Sequence, residues 1–110
     1  MSENNSIKVV RLSGELEIAR KDEIRAALAS AEQVTPVLLD LAGVTYADSI
    51  ALTELLRFCI EAEHEHRRVA LVIQSPQFSR LVQYAGLASA FKIFDDSERA
   101  RAYLDDGEGR

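Results

Sequence analysis

The pair of residues best suited to chemistry in this chain is Asp48-Ser49, set between an apolar run and a long amphipathic pattern. A hydroxyl beside a carboxylate at a helix start can be a plain cap, a nucleophile or a phosphorylation site. A nucleophilic serine needs a base, and the two histidines, His64 and His66, lie several turns further along the same helical pattern. Neither can reach back to Ser49 within one chain, so a Ser/His/Asp triad is disfavoured. The histidines are two residues apart and point to different sides of a helix, a spacing unlike that of helical metal ligands, so both read as surface residues. The single cysteine, Cys59, has no internal disulfide mate and falls on the apolar side of the helix, as a core residue would. The five glycines form neither a Walker loop nor G-x-G-x-x-G, so conventional nucleotide chemistry has no cradle here. Cap and phosphorylation site remain for Ser49.

The rest of the chain bounds the partner class. Its 110 residues, 47% hydrophobic and 28% charged, suit one small folded domain. With 18 acidic against 13 basic residues the net charge is -5, which disfavours nucleic acid and anionic membrane surfaces as partners. A protein partner or a small ligand is favoured. No cleavable signal pattern and no span-length apolar run occurs, so the expected location is cytoplasmic, without membrane insertion. No cofactor is expected.

Several elements must position Asp48-Ser49. Residues 7–12 alternate as a strand, and Gly14 marks a bend before Leu16 and Ile18, giving two strand pieces or a hairpin. Ile24, Ala27, Leu28 and Ala31 recur at helical spacing from Arg20 to the approach of Thr35-Pro36. Residues 37–41 read as a central strand buried on both faces, and 42–47 as a loop. From Ser49 to about His66, Leu52, Leu55, Leu56, Cys59 and Ala62 line the buried side of a helix, with Glu54, Arg57, Glu61 and Glu65 on the other. Residues 69–73 form the next strand, joined by a parallel, right-handed crossover that puts Asp48-Ser49 at the carboxyl end of a strand. Ser75 caps a third helix with Pro76 in its first turn, a stripe of Phe78, Leu81, Val82 and Ala85, and Gly86 as its stop. Phe91 to Phe94 gives a short last strand. Asp95, Asp96 and Ser97 cap a final helix buried through Ala100, Tyr103 and Leu104. The reading is α/β: a mixed central sheet of about four to five strands with about four helices against it. The domain spans 7–104, with flexible ends at 1–6 and 105–110.

Three segments together resemble the STAS domain family of anti-sigma factor antagonists. Gly14-Glu15-Leu16-Glu17 is similar to that family's Gly-Glu-Leu-Asp. Asp40-Leu41, Val44, Tyr46 and Asp48-Ser49-Ile50-Ala51-Leu52 match its Asp-Leu-x-x-Val-x-Phe-x-Asp-Ser-x-Gly-Leu, and Ser75-Pro76, Leu81, Gly86-Leu87 and Phe91-Lys92-Ile93 match later positions. The resemblance implies that Ser49 is the phosphorylated serine. It also implies that Asp48, Ser49, Ile50, Thr53, Glu17 and Tyr46 form the partner-binding surface. The implied partner is an anti-sigma factor that is also a serine kinase of the histidine-kinase-like ATPase type, with a phosphatase to reverse the mark, and the chain itself would not be an enzyme. Unphosphorylated, it would bind the anti-sigma factor and release a sigma factor. Ala51 and Thr53 stand where the family commonly has glycine and Ile50 where it often has Ser or Thr, which is expected to add bulk at the helix start. An alternative within the family is an unphosphorylated STAS subunit of a lipid-transport ABC system or stress-signalling complex.

Overall fold

The computed structural model of the chain describes residues 7–108, with side chains through Asp105. In chain order the elements are β1 (Lys8–Leu16), a 3-10 turn (Ile18–Arg20), α1 (Lys21–Ala29), β2 (Val37–Ala47), α2 (Ser49–His64), β3 (Val69–Ile73), α3 (Pro76–Tyr84), β4 (Ile93–Phe94) and α4 (Ser97–Glu108). The four strands form one sheet in the order β1-β2-β3-β4, and all three pairings are parallel. The α/β class and the strand and helix counts match the sequence reading. Among the described residues the sheet is parallel throughout rather than mixed, because each connection between strands carries a crossover helix.

Alternation within the strands divides the apolar residues between two cores. Val37, Leu39 and Leu41 of β2 join Leu55, Phe58 and Phe78 in the larger core, against α1, α2 and α3. Leu38, Ala70 and Val72 face the other way and pack with Ala100 and Leu104 of α4. The strand order advances in one direction, so crossovers of one hand place the first three helices on the same face, and α4 covers the other. β3 is buried at all five positions, as expected for a parallel strand with both faces covered. Leu39, Leu55 and Leu71 have no exposed surface; each such side chain contributes about 1.5–3 kcal/mol through burial.

Four local expectations are corrected. The first strand is continuous across Gly14, because glycine takes a left-handed φ of 79° at the second of two register shifts against β2, and the chain bulges instead of turning back. β2 does not end at Leu41: its pairing with β1 resumes after the bulge and carries the strand through Ala47, so residues 42–47 are not a loop. Ala85 is exposed, since α3 ends at Tyr84 and Gly86 at φ 74° closes it, with Leu87 N–H donating back to Val82 O at 3.0 Å. Residues 105–108, expected to fray, lie within α4, whereas the expectation for residues 1–6 falls outside the described residues.

Candidate functional site

β2 delivers the chain to the start of α2 through a joint fixed on several sides. Asp48 N–H donates to Leu16 O at 3.0 Å, tying the joint to the end of β1. Ala47 is gripped by the side-chain amide of Gln77 on α3, which accepts from Ala47 N–H at 3.0 Å and donates to Ala47 O at 2.8 Å. Ser75 adds a longer bond, its hydroxyl 3.4 Å from Thr45 O. The segment therefore sits on paired backbone rather than on a free loop.

Asp48 is the cap of α2. Its backbone is extended (φ -101°, ψ -178°), and its Oδ1 accepts from Ala51 N–H at 3.0 Å, satisfying one of the first-turn donors that a helix leaves open. Its Oδ2 accepts from Ile18 N–H at 3.1 Å. Both carboxylate oxygens are therefore engaged by backbone donors. The capping assignment goes to Asp48 rather than Ser49, because only the residue that is still extended can aim its side chain back at the first turn.

Ser49 is the first helical residue and is exposed. Its hydroxyl is free of the capping bond, and its carbonyl accepts from Thr53 Oγ1 at 2.8 Å. Thr53 is also exposed, one turn further on, and Ile50 is partly buried beside it. Ala51 has no exposed surface, so its methyl group points into the core and adds no bulk outside. Of the three differences at the helix start, only Ile50 and Thr53 change the surface.

The remaining candidates arrive from the neighbouring strand ends. Tyr46 is 42% exposed and pairs in register with Glu15. Glu17 is partly buried and lies between Leu16 and Ile18, both of which bond to Asp48. The fold thus gathers Glu17, Tyr46, Asp48, Ser49, Ile50 and Thr53 at the carboxyl ends of β1 and β2. Two residues were missed by the sequence reading. Ile18, 64% exposed, stands beside Asp48, and an isoleucine so exposed next to a carboxylate was readable only as a strand residue. Gln77 gave no signal, since its grip on Ala47 spans 30 residues.

Arg20 stiffens the same edge. Its guanidinium donates to Ser13 O at 2.7 Å and Glu15 O at 2.9 Å, closing over the bulge of β1. It also pairs with Glu23 at 2.7 Å. That hydrogen bond holds the Glu23 carboxyl below its ordinary range and raises Arg20. Glu15, Glu17 and Asp48 lie at this edge, with Arg20 close enough to Glu17 to feel its charge. Among the described residues no three His, Cys, Asp or Glu side chains gather as a metal site requires.

The architecture is that of a small α/β domain with a singly wound parallel sheet and an exposed serine at the start of its second crossover helix. The STAS domain family model matches residues 1–100, and the chain belongs to that family. Among solved structures, the chain is similar to a sulfate transporter family protein from Wolinella succinogenes, with 19% identity, 90% of this chain and 84% of that chain covered, and a TM-score of 0.68. At that identity the likeness shows the shared fold. No curated protein matches significantly. No helix among the described residues is long and apolar enough to cross a membrane.

Proposed function

We propose that this STAS domain is an anti-sigma factor antagonist whose surface around Ser49 docks an anti-sigma factor that also acts as its serine kinase, of the histidine-kinase-like ATPase type. The chain serves as binding partner and substrate and performs no catalysis. The observation that carries this reading is the exposed Ser49 hydroxyl at the first position of α2, free of the cap because Asp48 holds it. A kinase can approach that hydroxyl without unfolding anything. Exposed Ile18 and Tyr46 supply apolar contact beside it.

A phosphate on Ser49 would add about -1.5 to -2 charges beside the carboxylate of Asp48. The helix N-terminus offsets its local cost by about 0.3–1 kcal/mol, so the fold survives while an acidic or apolar partner face is repelled. A phosphatase would restore binding. The test is calorimetric titration of the partner kinase with wild-type protein and with Ser49→Ala and Ser49→Asp. Ser49→Ala should bind as wild type and Ser49→Asp at least about tenfold more weakly, which is about 1.4 kcal/mol; equal affinities would sink the switch.

One observation favours a second reading. Thr53 places a β-branched side chain on the surface a turn beyond Ser49 and bonds to its carbonyl. An unphosphorylated interaction subunit of a lipid-transport ABC system or stress-signalling complex would use the same edge as a fixed docking surface. Mass spectrometry of protein from its native cell separates the two, since phosphate at Ser49 rules out the second.

A further inference from the structure

At the far end of α2 from Ser49, roughly 22 Å along the helix, a cavity of about 370 Å³ opens between α2, the start of β3, the segment before β4, and α4. Its size lies within the range of small-molecule pockets. In a chain of net charge -5 its lining is unexpectedly basic. Arg67, Arg68, Lys92 and His66 contribute to it, with Ser89 as a neutral hydroxyl donor and Glu63 as the acidic lining residue.

The two arginines have different duties. Arg67 is committed to the fold: its Nη1 donates to Ala31 O at 3.2 Å and Val34 O at 3.3 Å, and its Nε pairs with Glu65 at 2.8 Å. Arg68 is held in place but not neutralised. Its Nη2 donates to Tyr103 O at 3.0 Å and its guanidinium lies 4.4 Å from the centre of the Tyr103 ring. No carboxylate pairs with Arg68 among the described residues, and its Nε is buried with no hydrogen-bond partner. Nε is shut off from solvent, so the guanidinium charge is partly desolvated with no protein carboxylate to balance it; that is costly, and an anion in the cavity that Arg68 lines would offset it.

We propose that this cavity is a binding site for a tetrahedral oxyanion, the phosphate or sulfate group of a small solute. Arg68 would be the principal donor and Lys92 and Ser89 would close over the anion from the segment before β4. With Nε sealed and Nη2 donating to Tyr103 O, Nη1 of Arg68 is the nitrogen left to meet an oxyanion, while an ammonium and a hydroxyl can meet the remaining oxygens from other directions. The face of Tyr103 is already occupied by Arg68, which leaves no ring for a nucleobase to stack on and favours a compact solute. Cys59 also lines the cavity but its thiol stays protonated and brings no competing negative charge.

The test is a titration of the full chain with sodium phosphate, sodium sulfate and glycerol 3-phosphate, followed by backbone amide NMR. Saturable shifts are expected at Arg68, Ser89 and Lys92, with Ser49 and Ile50 unmoved. A tighter response to glycerol 3-phosphate than to inorganic phosphate assigns the site to an organic phosphate; equal responses, or one led by sulfate, assign it to the bare anion. Arg68→Gln should weaken binding at least about tenfold. Lys92→Gln, at an exposed residue that the fold does not need, should weaken it several-fold. Identical shifts with sodium chloride at matched ionic strength, shifts confined to Ser49 and Ile50, or wild-type affinity in Lys92→Gln would overturn the assignment.

Discussion

The carboxylate of Asp48 accepts the backbone N–H of Ile18 at 3.1 Å with one oxygen while the other caps α2 through Ala51 N–H at 3.0 Å. One side chain therefore ties the exposed apolar side chain of Ile18 to the helix start that carries Ser49. Replacing Asp48 by Ala removes both bonds and is expected to destabilise the fold by about 1–3 kcal/mol. Asn retains an acceptor for the cap and should lose less than half as much. Urea unfolding of the two variants checks the order, and equal losses would refute the double role of the carboxylate.

Ile18 separates docking from folding. At 64% exposure its truncation to Ala should change unfolding free energy by no more than about 0.5 kcal/mol. Partner affinity should fall about tenfold if Ile18 is a buried contact in the complex. Calorimetry with the partner alongside thermal melts of the free chain gives both numbers; unchanged affinity removes Ile18 from the docking surface.

Acid should weaken the packing of α1 on α2. Glu54 is buried and accepts from Arg25 Nε at 3.1 Å, and that hydrogen bond lowers the Glu54 carboxyl below its ordinary 4.5. The folded chain thus holds this proton less readily than the unfolded chain. The stabilisation is present above about pH 4.5 and is lost as pH falls through the lowered folded value. Unfolding free energies measured from about pH 6 to pH 3 should drop more steeply for wild type than for Glu54→Gln; parallel profiles would show that the pair contributes nothing.

Cys59 should be chemically silent in the folded chain. Burial pushes its thiol up to about 12, so at pH 8 roughly one molecule in ten thousand carries the thiolate. A maleimide should label native protein at least about a hundredfold more slowly than urea-unfolded protein. Labelling at similar rates would show that the residue is not shielded as the packing indicates.

Elements with a strong local signature were legible in the sequence. The run Val69–Ile73 is a strand buried at every position, and Ser75 accepts from Phe78 N–H at 3.2 Å at the start of α3, as its place before Pro76 foretold. What stayed hidden depends on contacts distant in sequence. Residues 42–47 read as a loop because the continuous apolar run stops at Leu41, yet β1 pairs with that stretch once its bulge has shifted the register. Glu54 reads as a solvent-facing residue opposite the stripe of Leu52, Leu56 and Cys59, and it is buried where α1 brings Arg25 to it. The candidate site itself was largely readable, since Asp48, Ser49, Ile50 and Thr53 are local to one turn. Its rigidity was not, because Gln77 and Leu16 secure it from elsewhere in the chain.

The last residues of β2 divide their labour: Val44 and Ala47 are buried, while Thr45 and Tyr46 are exposed. Ser49 and Thr53 are likewise exposed, whereas Ala51 and Leu52 belong to the core. Outward positions here can vary with little consequence for folding. Duplicated copies of such a domain could acquire separate partners by exchanging a few surface side chains on an unchanged scaffold.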